Sequence, residues 1–568
     1  MRALALFLFP LVMLGACNRE VPIRAHTIYT GGTIYTGLSD TDTVEAVAVG
    51  DGLIVYAGTM NNAISISKDG ANIINLGDAV MYPGFVDAHV HLLGVGEREM
   101  RLNLDQVRSI AELQAALLAW REANPDVTSI QGRGWIETHW PEGRFPMAED
   151  LDAVIDDIPV VLTRADGHAL VANQSAMDFA GITYETPVPE GGDILKSEDG
   201  TPNGVFIDLA MALLQPVFEA PDEAEIRNAI EKGYDVYAAR GWTGLHNMSV
   251  TETELNILSD MSLDGAIPLR TYNAVQPDAM EWAINGAPSG ERMTTQAVKL
   301  YIDGALGSRG ALLSAPYADA PDTSGLALMK RDEALELFEI ALDENVQIAM
   351  HAIGDRGNSL ALDWMETAFA AHAEKPVAPK SPLVEESDEE ETGPRWRIEH
   401  AQIVRPKDQA RFADLGIIAS MQPSHAIGDL HFAPARLGMD RLGGAYAWQS
   451  LTDQGVVVAG GSDAPVEVGD PMIEFYAASV RKDLTGFSSE GWHPEEKLSR
   501  YEALKLFTQN PAFASFQEDE LGTIETGKIA DFTVLDQDIL TVPDEALLAT
   551  RPVMTIVGGE RVWQAEQH

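Results

Sequence analysis

Pro83-Gly84-Phe85-Val86-Asp87-Ala88-His89-Val90-His91 is the stretch that decides the fold. A Pro-Gly pair opens an apolar run, and the run ends on two histidines one residue apart. Side chains alternate faces along a strand, so His89 and His91 point one way while Val86, Ala88 and Val90 face helices on the other side. Seven further strand-like runs follow, near Thr243 to Met248, Leu269 to Ala274, Val298 to Asp303, Val346 to His351, Arg397 to His400, Ile417 to Gln422 and Val456 to Asp463. Amphipathic stretches separate them, the rhythm of βα units around a parallel sheet. Eight units predict an α/β fold closed as a (β/α)8 TIM-like barrel.

The chain outside this rhythm divides in two. His91 to Thr243 is far longer than one βα unit, which predicts an inserted subdomain at about 95–235, beside the barrel mouth. Both ends are β-rich: Gly31-Gly32-Thr33-Ile34-Tyr35, Ala46 to Val49 and Leu53 to Tyr56 at one end, Ile529 to Leu535 and Val553 to Val557 at the other. Neither end has enough strands for a sheet of its own, so the two are expected to pair into one small β-sandwich. The expected divisions are 1–16 as a signal peptide, 17–82 and 521–568 as the two halves of the sandwich, and 83–520 as the barrel. An acidic loop at 374–394, rich in Pro, Ser and Glu, is expected to be solvated.

Composition narrows the function. The 568 residues include 39 Lys plus Arg and 87 Asp plus Glu, a formal net charge of −48. Nucleic-acid phosphates and anionic membrane surfaces are poor partners for such a chain. Cys17 is the single cysteine, so no disulfide framework exists. Arg2, the apolar run from Ala3 to Leu14 and the small residues before Cys17 read as a secretory signal, too short for a bilayer-spanning helix. Leu14-Gly15-Ala16-Cys17 resembles a bacterial lipobox, which implies cleavage before Cys17 and lipidation of that cysteine. The expected location is therefore export, with a lipid anchor in a bacterial membrane, periplasmic or at the outer membrane.

Three more strand ends carry metal-binding side chains: His351 closes Val346 to His351, His400 closes Arg397 to His400, and Asp463 closes Val456 to Asp463. The carboxyl ends of barrel strands are where the following loops converge and active sites form. A lone His-x-His is weak evidence of a metal, and each of the others alone could be a core or capping residue; together they are hard to dismiss. Lys299 would face the barrel interior with Tyr301 and Asp303. Its ammonium has no lone pair for a metal, and burial beside cations would be costly. It either reaches the rim to pair with a carboxylate or is modified, a neutral amine taking up carbon dioxide to become an anionic carbamate.

At this point the sequence resembles the amidohydrolase superfamily, on His89-x-His91, Lys299, His351, His400 and Asp463. Lys299 to Arg309, His351-Ala-Ile-Gly-Asp-Arg356, Gly461-Ser-Asp-Ala-Pro465 and Gly527 to Phe532 are similar to its family-3 branch of YtcJ-like and N-substituted formamide deformylase-like metal-dependent hydrolases. The resemblance covers nearly the whole chain after the leader and implies a binuclear centre. His89, His91 and Asp463 would hold one ion, His351 and His400 the other, with carbamylated Lys299 and a hydroxide between two divalent ions, expected to be zinc. Asp463 would shuttle the proton during hydrolysis of an N-acyl, N-formyl or cyclic amide, a non-peptide C–N bond.

Trp135, His168, Tyr301, Asp303, Arg309 and His425 are the candidates to contact substrate, although for Trp135 and Tyr301 packing is the favoured role over contact. The expected partners are a small-molecule amide, and a membrane only through Cys17, with no nucleic acid and with room for a homodimer. Deamination or dipeptide cleavage at the same centre, and a surface lipoprotein that binds a metal or solute without turnover, are the competing readings. Serine chemistry is disfavoured, because no Gly-x-Ser-x-Gly elbow lies near a suitable histidine.

Overall fold

The computed structural model describes residues 24–374 and 393–566, apart from Asp166, His168, Glu190, 218–220 and 489–490. The leader at 1–16, Cys17, His168 and all but the edges of the acidic loop at 374–394 lie outside the described residues.

Eight parallel strands build the central sheet: β1 Phe85–Val90, β2 Trp242–Val250, β3 Arg270–Val275, β4 Met293–Tyr301, β5 Gln347–Ala352, β6 Arg397–His400, β7 Ile418–Met421 and β8 Val458–Gly460. They are hydrogen-bonded in chain order from β1 to β8. Just past β8, Asp463 N donates to His89 O at 2.7 Å and His91 N to Ala464 O at 2.9 Å, which brings the sheet nearly to closure. Gly461 permits this seam, since a Cβ there would sit 2.4 Å from His89 N. The outward side chains Val298, Leu300, Ile348, Met350 and Ile398 join the large apolar core under the helices. The inward positions Ala274, Ala297 and Ala349 are small, leaving the interior to longer polar side chains.

Local sequence places the helices that support the strands. Glu223–Arg240 opens with a capping box between Asp222 and Glu225 and ends at Gly241, whose φ of 94° suits the left-handed cap that glycine adopts without strain. Its buried Tyr237 reaches into the barrel wall, the hydroxyl donating to Asp87 Oδ2 at 2.9 Å.

Strands from both ends of the chain share one eight-strand sheet. Val80–Pro83 pairs antiparallel with Phe532–Leu535, and Ile34, Val47, Val49, Phe532, Val534 and Ile556 bury a common core. Between β1 and β2 lies a separate six-strand sheet running from Leu102–Asn103 to Pro202–Asp208, with its own core around Leu113, Leu117, Trp135 and Leu162. Among the described residues no helix is long and apolar enough to cross a membrane.

Candidate metal centre

Register holds the strand ends level. Tyr301 pairs with His351, His351 with Glu399 and Glu399 with Ser420 across β4 to β7. The inward residues at these ends therefore meet in one layer, and His89, Lys299, His351, His400 and Asp463 are all buried. Ring centroids are 4.9 Å apart for His89 and His400, 4.5 Å for His351 and His400, and 5.6 Å for His89 and His91. His91 is the most open of the four imidazoles, its side chain 30% exposed. The backbone is strained here, with φ of 72° at His400 and 59° at Asp463, left-handed values that non-glycine residues hold mainly where a site demands them.

Donors bound 2.0–2.1 Å from one tetrahedral ion stand roughly 3.3 Å apart. His91 Nε2 lies 3.3 Å and His89 Nε2 3.4 Å from the same Asp463 Oδ1, so the three fit a shared ion. His89, His400 and Asp463 also offer donor atoms within 4.8 Å of one another. The buried His351 Nε2 has no hydrogen-bond partner, as a nitrogen kept for a ligand would. Lys299 Nζ stands 3.2 Å from His89 Nε2, in the middle of the donors rather than at the rim.

His89, His351 and His400 are held neutral with their lone pairs free. Burial, then the charge of Lys299, lowers His89 to about 4 and His351 to about 3, and burial drives His400 well below its usual value. Asp463 stays ionised: burial opposes its charge, but the neighbouring imidazoles outweigh it. Each ring is also oriented from behind. His89 Nδ1 donates to Glu399 Oε2 at 2.5 Å, His91 Nδ1 to Met248 O at 3.1 Å and His400 Nδ1 to Gln422 Oε1 at 2.7 Å, which leaves the other nitrogen of each ring for a metal.

Glu399 is the residue that sequence reasoning missed. Arg397 Nε donates to Glu399 Oε1 at 2.7 Å, and Arg397 also binds Ala88 O at 2.6 Å and Ser420 Oγ at 2.8 Å, all of it buried. Burial alone would raise Glu399; the Arg397 charge, followed by His89, keeps it well below the ordinary range. The signal was present in Arg397-Ile398-Glu399, two charged residues on the inward face of a core strand. Asp87 was missed as well: it accepts from the amides of His89 and Ser462, the Ser462 hydroxyl and Tyr237, and pins β1 to the loop that carries Asp463.

The substrate candidates divide. His425 comes to the centre, Nε2 3.6 Å from Asp463 Oδ2 and its ring 5.7 Å from that of His400. Tyr301 borders it, 37% exposed, with its ring 5.3 Å from His351 and its hydroxyl bonded to Ser249. Trp135 is a correction: it is fully buried in the core of the inserted sheet, its indole N–H spent on Leu162 O at 2.8 Å, and it offers no face to a ligand. Asp303 lies beside the centre, Oδ1 3.7 Å from His351 Nε2, and its carboxylate accepts three backbone N–H groups, from Leu312, Ile353 and Gly354, which ties the loops after β4 and β5 together. Arg309 is engaged by Asp319 at 2.9 Å, which Arg436 also binds.

Residues 72–563 match the amidohydrolase family. Across 94% of its length the chain is 31% identical to YtcJ of Bacillus subtilis (strain 168), covering 99% of that protein. It is 25% identical to N-substituted formamide deformylase of Arthrobacter pascens, with 91% of this chain and 94% of the relative covered. Among solved structures, an uncharacterized metal-dependent hydrolase from Pyrococcus furiosus superposes with a TM-score of 0.72 at 29% identity, over 91% of this chain and 100% of that one.

Proposed function

The chain belongs to the amidohydrolase family and is a hydrolase, and from that premise we propose that it hydrolyses a non-peptide amide of N-acyl, N-formyl or cyclic type at the carboxyl ends of its barrel strands. The observation that carries this reading is the pair of 3.3 and 3.4 Å spacings from Asp463 Oδ1 to His91 and His89, beside buried nitrogens with no other use. Two divalent ions, held by His89, His91 and Asp463 on one side and by His351 and His400 on the other, would supply Lewis acidity to the amide carbonyl and to water. Lys299 would enter this set as a carbamate, its Nζ giving up a proton as the N–C bond to carbon dioxide forms.

The protein's own share is proton transfer and orientation. Asp463 Oδ1 faces His89 and His91, whereas Oδ2 is turned toward His425 and away from them. Oδ2 takes a proton from the attacking water as the C–O bond forms, then delivers it to the nitrogen as the C–N bond breaks, releasing acid and amine. The Glu399–Arg397 pair holds His89, and Gln422 holds His400, so little rearrangement is needed during the step.

The deciding experiment is turnover of zinc-loaded protein against a library of N-acyl, N-formyl and cyclic amides, with metal content measured on the same sample. Acid plus free amine is the expected product pair. Ammonia release would assign deamination instead, and bound metal without turnover of any amide would end the catalytic reading. We also propose export with a lipid on Cys17, which intact-mass analysis of membrane-extracted protein tests.

A further inference from the structure

We propose that the wall formed by His425, Asp429 and Glu467 binds a positive charge on the substrate, so that the preferred amides carry an ammonium or related cation a few bonds from the scissile C–N bond. This rests on reading the centre as an amide hydrolase and specifies which amides it takes.

All three residues stand on the loops that follow barrel strands, His425 and Asp429 on the short helix Pro423–Asp429 after β7, and Glu467 four residues beyond Asp463 after β8. His425 is only 8% exposed, and its Nε2 has no hydrogen-bond partner; at 3.6 Å, Asp463 Oδ2 is outside bonding range. A buried imidazole nitrogen left open costs free energy unless a ligand meets it. The carboxylates beside it are equally unpaired by charge. Asp429 accepts only from neutral donors, Gln402 Nε2 at 2.7 Å and the Tyr446 hydroxyl. Glu467 makes no side-chain hydrogen bond or ion pair among the described residues, and its Oε1 lies 3.6 Å from where a Cβ on Gly428 would sit.

The energetic consequence is visible in their acidities. Burial raises Asp429 to about 6 against the partial relief of His425, and burial with the nearby charges of Asp429, Asp463 and Asp105 raises Glu467 to about 7. Asp105 differs, because Arg98 and Arg133 act on it. Arg98 Nη1 donates to the backbone O of Glu467 at 2.9 Å, but among the described residues no guanidinium is paired with the carboxylate of Asp429 or Glu467. Two carboxylates without a cationic partner near one open imidazole make an acidic wall, and a substrate cation would recover the free energy that their isolation costs. His425 Nε2 then remains to meet a polar atom of the same substrate.

The test uses zinc-loaded full-length protein in 0.5 M NaCl, about a 4 Å screening length, so that the diffuse field of a chain of net charge −48 is suppressed. Calorimetric titration compares the choline cation with its uncharged isostere 3,3-dimethylbutan-1-ol; neither has a nitrogen that can ligate zinc. At least about tenfold tighter binding of the cation is expected, collapsing toward unity in Glu467→Gln and in Asp429→Asn with zinc content unchanged. Equal binding of the two probes by the wild type, or a preference that survives both substitutions, overturns the proposal. Loss of zinc in both variants also overturns it, since the carboxylates would then be balancing the ions. A parallel assay compares hydrolysis of N-formyl-1,4-diaminobutane and N-formylpentylamine. Cation-selective binding without turnover of either amide would count against the hydrolytic reading and leave the charge-binding wall standing.

Discussion

Single side chains at the centre carry separable duties. In the proposed mechanism Asp463 is both a ligand and the proton carrier, so Asp463→Asn keeps an oxygen toward His89 and His91 but loses the basicity; turnover is expected to fall about 10² or more with metal content nearly intact. Unchanged turnover would remove Asp463 from the proton path. Lys299 sits among the donors, 3.2 Å from His89 Nε2, where an unmodified ammonium would repel a metal. Lys299→Ala should lose metal and regain part of it with added short carboxylic acids; full occupancy without them would contradict a carbamate. Glu399 acts through His89 and is a positioning residue. Glu399→Gln keeps the shape but weakens the hold on Nδ1–H, and zinc affinity is expected to drop about 10- to 100-fold by chelator competition. Glu399→Asp should recover part of that affinity, which a packing defect would not.

At the scale of strands and helices, the sequence was legible wherever periodicity and position agreed. Val346 to His351 and Arg397 to His400 alternate large outward and small or polar inward residues, and β5 and β6 lie there. The same alternation puts His89, Lys299 and His351 on the inward face, but it would turn His400 outward with Ile398; His400 comes to the centre only where the strand leaves extended geometry, at φ 72°. Alternation could not separate Trp135 from a pocket residue, because an aromatic on an inserted strand reads alike whether it faces a ligand or a core. Nor could it show that Asp303 serves three amides from loops distant in sequence. Helix Glu252–Leu263 shows a further case: Thr251 caps it by accepting from Glu254 N, but the buried Glu254 side chain turns to Asn247 Nδ2 at 3.2 Å, and Asn247 Oδ1 takes Leu92 N beside His91. Burial raises Glu254 from 4.5 to about 7. Its folded pKa exceeds the unfolded one, so its stabilising effect is complete below about pH 4.5 and lost as pH rises through 7. Glu254→Gln does not titrate, and should gain on the wild type by up to about 3 kcal/mol between pH 5 and pH 8 in urea unfolding. A gap between the two that does not change with pH would show that Glu254 is ionised throughout.

For the molecule as a whole, the dominant force outside the core is self-repulsion. With 87 acidic against 39 basic residues, like charges outnumber any pairing the surface can offer, and the compact state suffers more from this than the expanded chain. Screening acts oppositely on the two kinds of electrostatics present. The exposed excess is felt over about 10 Å at 0.1 M salt and about 3 Å at 1 M, whereas the buried Arg397–Glu399–His89 chain is shielded by the barrel wall. Raising NaCl from 0.1 to 1 M should therefore increase the thermal midpoint by several degrees while leaving zinc affinity nearly constant. Attractive surface ion pairs such as Arg101 with Glu97 or Arg411 with Glu366 push the other way, but exposed pairs are worth only about 0–1 kcal/mol each. If the midpoint falls with salt, those pairs outweigh the net charge, and the acidic excess is not what limits the stability of the fold. If zinc affinity falls in parallel, the buried chain behind His89 is reached by solvent ions, and the separation of a screened surface from a shielded centre fails.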